Sequence, residues 1–148
     1  MKHIEPLQKL GDIDILLALV AGEAAGEPFL GKVAVCYVAI NRQRLASAGA
    51  VKSWPRTLHG VILQKHQFSC FWSDWDLRRG DIELAICRHP SMRECLRAAV
   101  AAYTKTVADP TFGADHYHSV SIKPPQWTRS MLRTVKIGRH VFYAAYRY

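Results

Sequence analysis

Two glutamates four residues apart, Glu23 and Glu27, have the residue type and the spacing that acid–base chemistry requires. They stand in the segment GEAAGEP, directly after the apolar run ILLALVA, so that one closes a predicted helix and the other precedes the next. Partial burial and the negative end of the helix dipole disfavour ionisation of Glu23, whereas the positive end of the next helix favours the carboxylate of Glu27. Such a pair can divide the roles of acid and base. The alternative is that both residues cap and solvate a helical hairpin.

A second polar cluster lies in DPTFGADHYHSV, which contains Asp115, His116 and His118. Strand alternation places the two histidines on one face and Tyr117 on the opposite face. These side chains suit a polar cleft that binds a substrate through hydrogen bonds. A zinc site completed by another histidine or a cysteine is the alternative, but the spacing is not diagnostic of one. We therefore expect neither a metal nor another cofactor.

Aromatic side chains form a third cluster, and polar residues such as Gln67 and Ser69 are interleaved with them. Rings in this pattern either belong to a core or line a cleft where they stack on sugars or bases. The cluster consists of Phe68, Phe71, Trp72, Trp75, Tyr117 and Trp127. A basic nucleic-acid-binding module stays an open alternative, but no helix-turn-helix, zinc-finger or RNP signature supports it. We expect no nucleic-acid partner.

Composition indicates a folded, basic protein. The chain has 148 residues, 49% of them hydrophobic, with 20 Lys and Arg against 12 Asp and Glu, a net charge of +8. This length suits one domain, residues 1–148, and the charge favours an anionic polymer as partner: nucleic acid, an acidic lipid surface or the bacterial cell wall. No apolar run is long enough for stable membrane insertion, and we expect a monomer. The four cysteines lack metal-ligand spacing, and Cys36 reads as a buried free thiol.

Apolar periodicity predicts two helices around the glutamates. The first spans about 12–25, with Asp12 as N-cap and Gly26 as C-cap. The second starts with Pro28 in its first turn and runs to about Arg44. Its apolar residues cover nearly all of its surface, which is typical of a central helix.

The rest of the chain changes from helix to strand. Residues 45–56 read as a loop, and TLHGVILQ (57–64) as a short helix. A capping box, Ser91 with Glu94, precedes a helix predicted over 96–109. Beyond that helix, three short strands are predicted in ADHYHSV, LRTVKI and HVFYAAY, the last two joined by a turn at Gly138. The predicted fold class is α+β, mainly helical with a small C-terminal β-sheet.

Several ordered motifs resemble one family. The segments GEAAGEPFLGKVAVCYVAINR, QFSC, DPTFGADHYH, PQW and RTVKIGRHVFY are similar, in this order, to the catalytic domain of the spore-cortex-lytic, SleB/CwlJ-type cell-wall hydrolases. The resemblance covers about residues 13 to 143. It implies a peptidoglycan glycosidase with a lytic transglycosylase mechanism, in a fold related to goose-type lysozyme and the transglycosylases. This chain departs from the family in Ala25, where arginine is common, and in an extra Phe71.

The resemblance also implies roles for individual residues. The first glutamate of the G-E-A-x-G-E motif is the family's catalytic acid, which is Glu23 here. By their places in the motifs, the implied substrate-binding residues are Glu27, Gln67, Phe68, Ser69, His116, Tyr117, His118 and Trp127. Glu27 is expected to orient or tune the site. Peptidoglycan glycan strands are the implied partner.

The implied mechanism gives one acid two tasks. Glu23 protonates the oxygen between N-acetylmuramic acid and N-acetylglucosamine, and its carboxylate then deprotonates the muramic C6 hydroxyl, leaving a 1,6-anhydro end. Two enzymatic alternatives stay open. A hydrolytic muramidase would use a second carboxylate such as Asp115 to activate water, and a zinc-dependent amidase would cut the stem peptides.

The amino-terminal sequence does not read as a secretory signal, because Asp12 and Asp14 interrupt the apolar run and no basic flank adjoins it. We therefore expect synthesis without a signal peptide in the cytoplasm of a host bacterium, and action on peptidoglycan in the periplasm or cell wall. A small, basic, unexported wall-cutting domain is typical of a phage endolysin, which lyses its host.

Overall fold

A computed structural model of the chain describes residues 10–64, 68 and 90–145. It contains helices α1 (Asp12–Ala24), α2 (Phe29–Ser47), α3 (Leu58–Leu63) and α4 (Pro90–Tyr103). These are followed by strand β1 (His116–Ser119), a 3₁₀ helix (Gln126–Ser130), and strands β2 (Met131–Ile137) and β3 (His140–Ala145). The prediction of an α+β fold, mainly helical with a small C-terminal sheet, is confirmed.

The two helices that flank the glutamates form as predicted, with small differences at their ends. Gly11 rather than Asp12 is the N-cap of α1, and Ala25 rather than Gly26 is its C-cap. Pro28 is the N-cap of α2 instead of a first-turn residue. The second helix continues three residues past Arg44, because Leu45 and Ala46 still pack into the protein.

The position predicted for the fourth helix is wrong. Helix α4 begins at Pro90, so Ser91 and Glu94 lie inside it instead of forming a capping box ahead of it. Proline is tolerated in a first helical turn, because the amide that it lacks would have no partner inside the helix. The helix ends at Tyr103, and Lys105 adopts a left-handed backbone conformation with φ of 58°.

The core lies between α1, α2 and α4 and extends to the sheet. Helix α4 contributes alanines at helical spacing, which let it approach α1 and α2 closely. The largest fully buried side chains include Ile15, Leu16, Leu17, Leu19, Val33, Val35, Val38, Leu58, Ile62, Phe68 and Phe142. Cys36 is a buried free thiol, as predicted, and burial raises its pKa. The assignment of residues 1–148 to one domain stays a prediction.

The sheet has three antiparallel strands in the order β1-β3-β2. Its inner face packs against the helical core, and its outer face looks away from it. The inner face carries Tyr117, Val135, Ile137, His140 and Phe142, and the outer face carries His116, His118, Val141 and Tyr143. The turn between β2 and β3 contains Gly138 at φ of 56°, as predicted. No helix within the described ranges is long and apolar enough to cross a membrane.

Candidate active site

Glu23 lies in the last turn of α1 and meets a tyrosine from the sheet. Its carboxyl is half-buried, and Oε2 accepts a hydrogen bond of 3.0 Å from the Tyr117 hydroxyl. Ala24 is buried, but Ala25 and Gly26 are exposed where the helix ends. The carboxyl group is therefore fixed on one side by Tyr117 and is only partly covered by protein.

Tyr117 is held by rings on the inner face of the sheet. It pairs with Phe142 across β1 and β3, with ring centroids 5.7 Å apart. The rings of Phe68 and His140 lie 6.4 and 4.8 Å away. Because the ring is packed by three neighbours, its hydroxyl has little freedom to leave Glu23.

The segment before Tyr117 is ordered by one carboxylate. Oδ1 of Asp109 accepts hydrogen bonds from the backbone nitrogen and hydroxyl of Thr111 at 2.8 and 2.6 Å. Oδ2 accepts from the Gly113 nitrogen at 3.1 Å and from the Asn41 amide at 2.9 Å. Asn41 also donates to the carbonyl of Ala114. This network anchors the start of β1 to α2, which sets the position of Tyr117.

Glu27 has a different environment, since only 8% of the residue is exposed. Its Oε1 accepts a hydrogen bond of 3.0 Å from the Arg139 backbone nitrogen, and Gly138 packs against the same carboxylate. Lys32 donates to the backbone carbonyl of Glu27. Glu27 thus connects the β2–β3 turn to the start of α2, so its carboxylate has a structural role in the fold.

His140 lies beside both acids. Its Nδ1 is 3.2 Å from Oε1 of Glu27, at an angle that forms no hydrogen bond, so the contact is electrostatic. Burial lowers the pKa of His140, and the nearby charges of Glu27 and Glu23 only partly oppose this effect. Burial therefore disfavours the protonated form of this ring, although both acids favour it.

Asp115 is fully buried and engaged with neighbouring groups. Its side chain is 1% exposed, and Oδ1 lies 2.8 Å from Nδ1 of His116. Nε of Arg42 donates to the backbone carbonyl of Asp115 at 2.6 Å. Burial lowers the pKa of the Arg42 guanidinium, while the nearby Tyr117 and Asp115 act in the opposite direction. The two buried opposite charges compensate each other.

A continuous row of side chains leads away from Glu23, and we call it the aromatic strip. After Tyr117 it comprises Phe68, Arg42, Trp54, His116 and Trp127. The guanidinium of Arg42 lies 5.0 Å from the Phe68 ring and 5.5 Å from the Trp54 ring. Because Trp54, His116 and Trp127 are partly exposed, the strip offers ring surfaces to a ligand.

His118 lies apart from Glu23, on the outer face of the sheet. It shares this face with His116, opposite Tyr117, as the alternation predicted. Nδ1 of His118 pairs with the Ser119 carbonyl at 2.9 Å, and Nε2 with the Tyr143 hydroxyl at 3.1 Å. Both ring nitrogens are therefore occupied. No group of three or more His, Cys, Asp or Glu in the described parts of the chain is arranged to hold a metal ion.

The structure brings together part of the predicted site. Glu23, Tyr117 and Phe68 form one contact series, and His116 and Trp127 continue it along the strip. Glu27 and His118 face other parts of the protein. Gln67 and Ser69 lie outside the described residues, as do Phe71, Trp72 and Trp75.

Sequence reasoning did not identify Arg42 and Trp54 as neighbours of the site, and it considered His140 only as a possible further ligand of the alternative zinc site. Arg42 is one of three cations in the largely apolar helix α2, with Lys32 and Arg44, and a charge that is buried in such a helix requires a compensating partner. A tryptophan in a polar loop signals Trp54. His140 carried no comparable signal, because its proximity to the acids depends on the β2–β3 pairing.

Comparison with known proteins gives a consistent result. A family model described as cell wall hydrolase matches residues 26–143. Curated relatives named spore cortex-lytic enzyme, from Bacillus cereus and Bacillus subtilis, are 28% and 26% identical over 131 residues, which is 88% of this chain. The chain spans only 43% and 37% of the length of these two relatives.

Solved structures agree in fold. The catalytic domain of the germination-specific lytic transglycosylase SleB from Bacillus anthracis matches with a TM-score of 0.62 and 27% identity, covering 90% of this chain and 93% of that one. The catalytic domain of the Bacillus cereus SleB protein gives the same TM-score and identity, and 89% of it is covered. The resemblance inferred from the ordered motifs is confirmed. The chain belongs to the cell wall hydrolase family.

Proposed function

We propose that the chain is a peptidoglycan lytic transglycosylase with Glu23 as its single catalytic acid. The observation that carries this proposal is the partly exposed Glu23, whose carboxyl is held by Tyr117 at one end of the aromatic strip. The solved SleB domain from Bacillus anthracis, to which the chain is similar, is a lytic transglycosylase.

In the first step Glu23 acts as the general acid. Its proton passes to the oxygen that joins C1 of N-acetylmuramic acid to N-acetylglucosamine, and the C1–O bond breaks with its electron pair on that oxygen. The leaving sugar departs with a hydroxyl group. An oxocarbenium-like centre stays at C1, close to the newly formed carboxylate.

In the second step the same carboxylate is the base. It takes the proton of the muramic C6 hydroxyl while O6 bonds to C1, which closes a 1,6-anhydro ring. Glu23 regains the proton that it donated, and no water is consumed. One carboxyl group with access to both oxygens is therefore sufficient.

The Tyr117 hydroxyl supports this cycle by occupying one carboxyl oxygen. Because it donates to Oε2, the transferable proton resides on Oε1. This arrangement presents a single proton to the sugar in a fixed direction.

The surroundings of Glu27 and Asp115, the two other candidate acids, favour transglycosylation over hydrolysis by either of them. Hydrolysis requires a second carboxylate that activates water, and Asp115 was the sequence-based candidate. Asp115 is only 1% exposed and contacts His116, while Glu27 is held by the Arg139 backbone nitrogen. Neither carboxylate is placed to activate a water molecule for attack on a sugar that is bound at the surface beside Glu23.

The aromatic strip suits the glycan itself. Sugar rings have apolar faces that pack on aromatic side chains, and Trp54, His116 and Trp127 are partly exposed. Phe68 and Arg42 are buried, so the sugars of one strand would stack on the exposed members of the strip, Trp54, His116 and Trp127. Remote binding of this kind positions the scissile linkage.

The decisive experiment compares Glu23→Gln with the unaltered chain on purified peptidoglycan, with mass spectrometry of the products. We expect anhydro ends from the native chain and a loss of roughly 10²–10⁴-fold in rate for the variant. Asp14→Asn is the control, because Asp14 is an exposed acid on the same helix. Products that carry reducing ends would indicate a hydrolytic muramidase, and loss of activity with a chelator would indicate a zinc-dependent amidase. Native-rate digestion by Glu23→Gln would refute the assignment.

We further propose that the chain acts as a phage endolysin and lyses its host. The support is the proposed chemistry, since cutting glycan strands removes the wall's resistance to osmotic pressure. Expression in a bacterium with and without a pore-forming holin tests this role and the cytoplasmic origin together. We expect rapid lysis only with the holin, and lysis without it would contradict release through holin pores. The monomeric state is tested by gel filtration.

A further inference from the structure

The positive charge of the chain is concentrated near its carboxyl end. Residues 116–148 contain six Lys or Arg and no Asp or Glu, whereas residues 1–115 contain 14 basic and 12 acidic residues. The final segment therefore carries six of the eight net charges. Five of its six cations lie within the described residues, and all five are exposed: Lys123, Arg129, Arg133, Lys136 and Arg139. We call these five residues the cationic face.

A β-bulge places two of these cations side by side. In a regular strand Arg133 and Lys136, three residues apart, would point to opposite faces. The register shifts between Arg133 and Val135, so that Arg133 pairs with Tyr143 and Lys136 with Val141. Both cations therefore lie on the outer face, opposite partners that are two positions apart, or about 7 Å.

The other three cations lie close to this pair along the chain. Arg139 follows Gly138 in the β2–β3 turn. Lys123 and Arg129 belong to the segment that contains Trp127. The Trp127 ring packs on the outer face, where its centroid lies 5.3 Å from that of the Tyr143 ring. Within the described residues no carboxylate forms an ion pair with any of the five cations. No ion pair seen in the described part of the chain therefore neutralises these exposed charges.

We propose that the cationic face binds the anionic phosphodiester polymer that is attached to the glycan strand in many bacterial walls. This inference rests on the proposed function, because the anion must accompany peptidoglycan. Repeated phosphates along a flexible chain can reach several exposed cations at once, and the guanidinium groups of arginine bind phosphate through two hydrogen bonds. Tyr117 and Glu23 meet on the opposite face of the sheet, so a polymer bound here leaves the acid free while holding the enzyme next to its substrate.

Protection of the sheet edge does not account for the cationic face. Strand β2 lies at the edge of the sheet, where charged side chains prevent pairing with another molecule. One or two charges of either sign serve that purpose. Five exposed cations in a segment without any acid are more than protection of the edge requires. Nucleic acid carries the same phosphodiester charge, so duplex DNA is the competitor in the test.

The experiment measures co-sedimentation with sacculi that bear covalently attached poly(glycerol phosphate), and with the same sacculi after hydrofluoric acid has removed it. Binding is measured in the Glu23→Gln background so that the sacculi stay intact. The test variant is R133Q/K136Q/R139Q. The control variant, K52Q/R93Q/R97Q, removes the same number of exposed charges from other parts of the chain. Digestion of the stripped sacculi by each variant with Glu23 intact shows that fold and site are preserved.

We expect the test variant to bind the polymer-bearing sacculi about 10- to 100-fold more weakly at low salt, with a much smaller change in the control. Removal of the polymer from the sacculi should weaken binding of the parent chain to a similar extent. Equal losses in both variants, or none in the test variant, would overturn the proposal. Displacement by duplex DNA as effective as by soluble poly(glycerol phosphate) at equal phosphate concentration would also overturn it. If the parent chain with Glu23 intact failed to cut the stripped sacculi, that result would instead count against the proposed function alone.

Discussion

Replacement of Tyr117 by phenylalanine tests how the site holds its acid. The substitution removes the 3.0 Å hydrogen bond to Oε2 of Glu23 and keeps the ring contacts with Phe68, His140 and Phe142. A hydrogen bond to a charged group contributes about 1.5–3 kcal/mol. At 1.36 kcal/mol per tenfold in rate, its loss lowers kcat by roughly 10- to 150-fold if the bond acts in the transition state. The fold should stay native because the ring stays packed, and the free energy of unfolding should fall by no more than the contribution of the lost hydrogen bond.

The assay is the initial rate of anhydro-product release from purified peptidoglycan, followed by mass spectrometry. The matched control is Tyr143→Phe, which removes a buried hydroxyl on the outer face that pairs with His118. We expect Tyr143→Phe to keep most of the activity and Tyr117→Phe to lose kcat with little change in KM. A native kcat in Tyr117→Phe would show that the hydroxyl does not orient Glu23.

Three further predictions concern other parts of the structure. Trp54→Ala should raise KM for long glycan strands about 2- to 10-fold and leave the kinetics of a minimal glycan unchanged, because only a long strand reaches the far part of the strip. Gly138→Ala should cost at least about 2 kcal/mol in urea unfolding, because φ is 56° and the added Cβ would lie 2.7 Å from Oε2 of Glu27. The free energy of unfolding should fall as pH drops below 6.5, because the folded state lowers the pKa of His140 and the unfolded chain binds the proton first. In urea titrations at pH 7.5 and 5, His140→Gln should show a smaller fall than the native chain.

Local patterns were sufficient for most of the fold. Helices α1 and α2 were predictable because their apolar residues follow the helical period and Pro28 separates them. The strands were predictable because β-branched and aromatic residues cluster around Gly138. The start of α4 was not, since Ser91 satisfies the sequence pattern of a cap equally well from inside the helix.

The candidate site was predictable only in part, because it depends on contacts between distant residues. Motif resemblance selected Glu23 and Tyr117, but the hydrogen bond between them spans 94 positions and no local pattern encodes it. Glu27 has the residue type and position of a solvated helix-start acid. It is buried because the β2–β3 turn, 112 residues further along, supplies a backbone donor. Arg42 was hidden for the same reason, since its acceptor belongs to Asp115.

The separation between Glu23 and Tyr117 in the sequence also means that the site is completed late in translation. A nascent chain that has formed α1 and α2 already contains the acid, but the tyrosine that orients it has not been synthesised. Strand β3, which pairs with β1 and supports that tyrosine, is synthesised later still. Translation products that stop before β3 are therefore expected to lack the support of Tyr117 and to be inactive.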